Sequence, residues 1–288
     1  MKPILSPKEL AIAIDASESS IKRWVDAGKI PAEKTGGGHR KIYLNDAMRF
    51  IRDNNHALCN GTVLGFPEID TVLPEMRENL PHDRLFTYLE EGNAEKATGY
   101  LLSLYFQGES FAAICDGPIQ QAMAKIGEMW REQNNGICIE HHATDVCIQA
   151  INRVRRIFTP PPDAPRMLGG APSGDPYFIP SLLACTVLMA EGFQTINLGP
   201  NTPFETFQHA IDRHNPILVW LSISVNTNSK ALRNGIENLA EYAGNHGAQL
   251  IVGGTAARFL AKINLPNVFL GSSMTELAAF SRGMLAQV

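Results

Sequence analysis

At 288 residues the chain is too long for one ordinary domain and long enough to bury two or three cores. Hydrophobic residues make up 44% and charged residues 19%, which excludes wholesale disorder. The net charge of −4 hides an asymmetry: residues 1–53 hold ten Lys or Arg against seven Asp or Glu, a surplus of three, so the remainder carries −7 and only the start is suited to a polyanion. The five cysteines, Cys59, Cys115, Cys138, Cys147 and Cys185, form no CxxC pair, which argues for a reducing compartment over a disulfide framework or a zinc site. With no signal pattern and no run of about 18 apolar residues, a cytoplasmic protein with no membrane partner is expected.

Ser6 is placed to cap a first helix, with Pro7 at its opening position, where a missing N–H costs nothing. A second helix follows Asp15-Ala16, capped by Ser17 or Ser19, with Ile21, Trp24 and Val25 at core spacing and Gly28 ending it. The run TGGGHRKIYL then reads as a glycine turn and a basic strand, the wing of a winged helix, and Asp46 to Asp53 closes the domain. Such a head, residues 1–53, offers Ser19, Ser20, Lys22 and Arg23 to a major groove and His39, Arg40 and Lys41 to phosphates or a minor groove. On charge alone, those wing cations read equally well as a solvated hairpin.

Residues 54–79 mix Gly, Pro and polar residues and read as a linker with some local helix. Residues 80–158 hold four helical patterns broken near Gly92-Asn93, Gly108 and Asn134-Asn135-Gly136, a four-helix bundle. Trp130 falls about one turn before the last break, and Glu140 and His141 about one turn after it. An antiparallel pair brings all three to one end, where Asp145 could orient the His141 ring; alternatively Trp130 is core and the other two are solvated. A Pro-rich connector, 159–165, precedes five β-rich runs alternating with helices over 166–288, the pattern of a doubly wound parallel α/β sheet. A fragment of residues 75–288 is expected to stay folded and to lose DNA affinity.

The helix carrying Ser20 to Trp24, followed by Gly37-Gly38-His39-Arg40, resembles the MerR and excisionase type of winged helix, although the long helices that usually follow the wing are missing. Trp130, nine residues, then Glu140-His141 matches the Wx9EH motif of CarH-type adenosylcobalamin photoreceptors, a resemblance that spans residues 80–288. It implies a cobalamin-binding, flavodoxin-like α/β domain, Trp130 and Glu140 over the upper face of the cofactor, and His141 as a cobalt ligand after light has removed the adenosyl group. It also implies a nucleotide-tail pocket lined by Ser222, Ser224, Gly253 and Gly254. In the loop that carries the lower cobalt ligand, this sequence reads GDPYFIP: Asp175 keeps the carboxylate, Tyr177 replaces the histidine and Pro180 replaces a glycine. A phenol is a poor cobalt donor, so Tyr177 is expected to pack over the pocket floor.

The implied protein is a multidomain transcriptional regulator and no enzyme, by resemblance a repressor. Its partners would be a double-stranded DNA operator and further copies of itself. Its cofactor would be adenosylcobalamin or another cobalamin, with an empty pocket in a protein-interaction module, or another tetrapyrrole, as alternatives. A corrinoid carrier is the enzymatic-pathway reading.

Overall fold

The computed structural model describes residues 4–76, 83–132, 136–225, 230–255 and 267–285. The chain divides into two compact units, residues 1–110 with 117–157, and residues 111–116 with 158–288.

The first unit opens with β1 (Ile4–Leu5), α1 (Pro7–Ala13), α2 (Glu18–Asp26), β2 (Glu33–Lys34), β3 (Arg40–Tyr43) and α3 (Leu44–Asp53). Ser6 and Glu9 form a reciprocal cap on α1: the hydroxyl accepts from the Glu9 amide at 3.3 Å, and the Glu9 carboxylate accepts from the Ser6 amide at 2.7 Å. Asp15, at φ 51°, turns the chain toward Ser17, whose hydroxyl accepts from the Ser20 amide at 3.1 Å and starts α2. The strands pair antiparallel in the order β1-β3-β2. Leu10, Ile21, Ile30, Ile42 and Ile51 are fully buried beneath them. Trp24 faces inward as its spacing predicts, with its ring 5.2 Å from Phe50 and 5.3 Å from His56.

A short 3-10 turn (Thr62–Leu64) leads to α4 (Pro67–Asp70) and α5 (Leu73–Met76). Then come α6 (Arg84–Glu90), α7 (Ala94–Phe106), α8 (Phe111–Ile114), a π-helical turn (Cys115–Ile119), α9 (Gln120–Glu132) and α10 (Gly136–Arg155). The stretch expected to be a linker, 54–79, is described as far as Met76, and there it is built into the bundle. Leu64, Phe66, Ile69 and Val72 are fully buried. Phe66 meets Phe106 at 5.8 Å between ring centroids, and Arg153 grips Glu68 at 2.5 Å. Gly99 lets α4 lie flush on α7, because a Cβ there would sit 2.0 Å from the Glu68 carbonyl oxygen. Glu75 holds Lys96 at 2.9 Å and also bonds Arg84 and the Tyr88 hydroxyl. The Lys96 and Tyr88 hydrogen bonds keep its carboxyl below the usual range. Arg52, near the end of α3, lies 3.7 Å over the Tyr105 ring and donates to the Tyr105, Gly108 and Glu109 carbonyls. Short helices in a Gly- and Pro-rich stretch carry too few residues for periodicity to reveal, which is why the sequence reads as a connector.

The second unit holds α8, described above, together with β4 (Arg166–Gly170), α11 (Ile179–Ala190), β5 (Gln194–Asn197), α12 (Phe204–His214), β6 (Leu218–Ser222), α13 (Lys230–Asn245), β7 (Gln249–Gly253), β8 (Val268–Leu270) and α14 (Met274–Leu285). Among the described residues the four strand pairings of this sheet are parallel, in the order β5-β4-β6-β7-β8, so the expected doubly wound sheet is present. On one face Leu168, Val219, Leu221, Leu250 and Val252 pack with α12 and α13. The alternate residues face α11: Trp220 covers Gly169, where a Cβ would sit 2.1 Å from the indole, and donates to the Ser181 hydroxyl at 3.2 Å. Asp116 caps α14, accepting from the Met274 and Thr275 amides at 2.8 Å each. No described helix is long and apolar enough to cross a membrane.

Candidate functional site

Strand order reverses between β4 and β6, so the loops leaving their carboxyl ends flank the position where sheets of this kind bind ligands. The loop after β4 runs from Ala171 to Phe178, and its centre is Asp175, only 2% exposed. Asp175 Oδ2 accepts from the Ser224 amide at 2.5 Å and the Val225 amide at 3.3 Å, while Oδ1 accepts from the Tyr177 amide at 3.1 Å. One carboxylate thereby pins this loop to the end of β6. Ser222 ends β6 and is buried. Gly254, at φ +99°, is required where it stands, since a Cβ would lie 2.4 Å from the Ile223 carbonyl oxygen; at Gly253 a Cβ would meet the Gly271 carbonyl at 3.4 Å. The carboxyl end of the sheet thus gathers Asp175, Ser222, Ser224, Gly253 and Gly254.

Tyr177, in this loop, is 54% exposed, and its backbone amide donates to Asp175. Both Asp175 oxygens thus accept from backbone amides. Pro180 takes the second position of α11, where its missing N–H costs nothing.

In the first unit, α9 packs on α10, and residues 133–135 between them lie outside the described residues. Trp130 falls in the last turn of α9 and Glu140 and His141 in the second turn of α10, so backbone placement puts all three at one end of the helix pair; the Trp130 side chain lies outside the described residues. The His141 side chain is 76% exposed, with Nε2 3.5 Å from Glu140 Oε2. Glu140 Oε1 accepts from the Thr144 hydroxyl at 3.1 Å. Asp145, expected to orient His141, instead accepts from Gln149 Nε2 at 2.7 Å, one turn further along the helix.

On the head, Ser19, Lys22 and Arg23 are exposed and Ser20 is half-buried. Lys22 pairs with Glu18 at 2.7 Å. Arg40, expected to meet phosphate, is committed elsewhere: its guanidinium donates to Asp26 through Nε at 3.2 Å and Nη2 at 2.7 Å, and Lys34 reaches the same carboxylate at 3.0 Å. The Arg40 and Lys34 hydrogen bonds hold the Asp26 carboxyl below its usual range. The hairpin is thereby clamped to the end of α2, and Asp26 is a residue the sequence reading missed. An acid at a helix carboxyl end opposes the helix dipole, which was the available signal that it has another task. His39 and Lys41 stay exposed, and among the described residues neither Arg23 nor Lys41 has an ion-pair partner within 4 Å.

Residues 82–155 match the B12 binding domain family. Among solved structures the chain is similar to the monomethylamine corrinoid protein of Methanosarcina barkeri, at 17% identity and a TM-score of 0.53, covering 70% of this chain and 97% of that one. Weaker likenesses are to a cobalamin-binding protein from Desulfitobacterium hafniense DCB-2 (15% identity, TM-score 0.35, 72% and 98% covered) and to the methanol:cobalamin methyltransferase complex MtaBC from Methanosarcina barkeri (15%, 0.36, 74% and 83%). No curated protein matches the chain. The family match supports cobalamin as the cofactor, and the first structural likeness shows the fold of a corrinoid protein.

The donor chemistry fits a corrinoid in one half and departs from the usual pattern in the other. On the bundle, His141 offers an exposed imidazole, a good nitrogen donor to cobalt. In the loop after β4 no residue from Ala171 to Phe178 carries an imidazole. Because Tyr177 is exposed, Tyr177→His should fold without penalty and supply the missing donor, with a gain in cobalamin affinity of roughly tenfold, less than a fully oriented histidine would bring. Equilibrium dialysis with hydroxocobalamin measures it, and unchanged affinity would show that the loop holds position 177 away from the metal.

Proposed function

We propose that the chain is a DNA-binding transcriptional regulator of the MerR and excisionase type, governed by a CarH-like, cobalamin-binding body, and that it is not itself an enzyme. The supporting observation is the head: α2 presents Ser19, Lys22 and Arg23 to solvent beside a basic hairpin clamped to it by Arg40 and Asp26. A reading helix and a hairpin in fixed relation suit a major groove and its adjoining phosphates. Two copies on one operator would give the contact area that a single small head lacks. In the body, His141 would hold cobalt, with Glu140 beside it and Trp130 at the same end of the helix pair, while the sheet edge from Asp175 to Gly254 would receive the nucleotide tail. Adenosylcobalamin supplies a light-breakable upper bond, which would make operator binding light-responsive.

A corrinoid carrier serving a methyltransferase is the second reading, favoured by the likeness that covers 97% of a corrinoid protein. That likeness leaves about three tenths of this chain unmatched, and a carrier has no use for the head. The missing loop imidazole counts against it too. One experiment separates the readings: the absorption spectrum of the protein with adenosylcobalamin in the dark and after light, beside gel shifts on duplex DNA. A light-dependent shift in both supports the regulator. Cobalamin bound with no DNA affinity supports the carrier. DNA affinity without cobalamin leaves a regulator whose pocket is empty.

For the head, Arg23→Ala should weaken binding to every duplex and lower the salt slope by about one unit, the signature of one lost phosphate contact. Arg40→Ala should weaken binding while leaving the slope within about half a unit, because Arg40 acts on Asp26. A full unit lost on Arg40→Ala would mean that its guanidinium leaves Asp26 for the DNA.

A further inference from the structure

Helix α7 touches both functional ends of the first unit. Gly92, in the turn before it, stands at φ +72°, and a Cβ there would lie 2.3 Å from His142 Cε1. The His142 ring therefore rests directly on that turn, one residue along α10 from His141. From the turn, α7 runs 13 residues, about 20 Å at the helical rise, packed against α10. Its far end is held by the head. Half-buried Arg52, in the last turn of α3, donates through Nη1 to the Tyr105 and Glu109 carbonyls, the latter at 3.1 Å, and through Nη2 to the Gly108 carbonyl at 3.4 Å. Its guanidinium also lies 3.7 Å over the Tyr105 ring. A cation at the carboxyl end of a helix is favoured by the dipole, and a planar fork on backbone carbonyls is a stiff link. Two residues before Arg52, Phe50 packs on Trp24 of α2 at 5.2 Å, and His56 closes the cluster at 5.3 Å from Trp24 and 5.1 Å from Phe50.

We propose, resting on the cobalamin-governed reading above, that α7 is a rod carrying the state of the His141 end of the bundle to the head, and that Arg52 is the positioning residue that passes its movement to α3 and α2. When His141 takes or leaves a ligand, the second turn of α10 must shift. The His142 ring has no slack against Gly92, so the shift reaches the turn that starts α7. A packed helix answers as a unit, and its last turn is where Arg52 holds on. From Arg52 the movement enters α2 through Phe50 and Trp24.

The test uses the full chain with saturating hydroxocobalamin and hydrogen exchange read by mass spectrometry, at short times where local opening governs the rate. No operator is needed. In wild-type protein, exchange should slow in peptides of α10 and, by at least about fivefold, in peptides of α2 and α3. Arg52→Ala should keep the α10 response and bring the head response to within about 1.5-fold of none, while Arg52→Lys, which keeps the charge without the fork, should restore part of it. His142→Ala, at an exposed position, should give the same loss from the other end and decides the matter should Arg52→Ala loosen the head. A head response that survives His142→Ala, or that survives Arg52→Ala, would overturn the rod and leave the cobalamin reading standing. So would a wild-type head that stays silent while α10 responds. Silence in α10 itself would sink the cobalamin reading, and the rod with it.

Discussion

Asp175→Ala is expected to destabilise the α/β unit by about 3 kcal/mol, lowering its urea midpoint sharply while the first unit stays folded. The carboxylate is 2% exposed and serves three backbone amides, those of Tyr177, Ser224 and Val225. A hydrogen bond to a charged group contributes about 1.5–3 kcal/mol, and each buried amide left unpaired adds a desolvation penalty. Water admitted by the smaller side chain offsets part of the loss, which is why the estimate stays below the sum of three bonds. Asp175→Asn separates geometry from charge. The amide retains one acceptor oxygen but turns an N–H toward amides that also donate, so it should recover less than half of the lost stability. Chemical denaturation followed by circular dichroism gives both numbers. A loss under about 1 kcal/mol for the Ala variant would mean the loop is held by other contacts and Asp175 is no pin.

Truncation gives the second large effect. A fragment beginning at residue 54 should fold, whereas one beginning at residue 75, which the sequence alone suggests is stable, should be insoluble or molten. The cut at 75 strips Leu64, Phe66, Ile69 and Val72 from the bundle, all fully buried, and removes Glu68 from Arg153. At about 1.5–3 kcal/mol per apolar side chain, the lost burial approaches the whole stability of an ordinary domain, about 5–15 kcal/mol. Arg153, 23% exposed at its side chain, would then lack its carboxylate. Far-ultraviolet and near-ultraviolet circular dichroism on the two fragments decides the matter: cooperative melting of the 75–288 fragment at the full-length temperature would show that α4 and α5 only decorate the bundle.

What the sequence revealed and what it concealed divide along physical lines. Ser6, Ser17, Gly28 and the five β-rich runs were legible because caps, positive-φ glycines and continuous apolar strands act locally. The grouping of Ser222, Ser224, Gly253 and Gly254 came from the resemblance alone, and the pairing of β6 with β7 is what brings them together. Partners distant in sequence were not legible. Asp26 with Arg40, Asp175 with Ser224, and Glu68 with Arg153 are separated by 14, 49 and 85 residues, and no periodicity connects them.

The placement of the tryptophans has a spectroscopic consequence. Trp220 is sealed inside the second unit at 2% exposure, with its indole N–H paired to Ser181, while Trp24 sits half-exposed in the first unit against Phe50 and His56. Their emission should therefore fall at different wavelengths, blue for the enclosed indole and redder for the partly exposed one. Once Trp130 is replaced by Phe, a single fluorescence trace carries two separable colours, one for each unit. The order in which heat or urea opens the two units can then be read from the unlabelled chain.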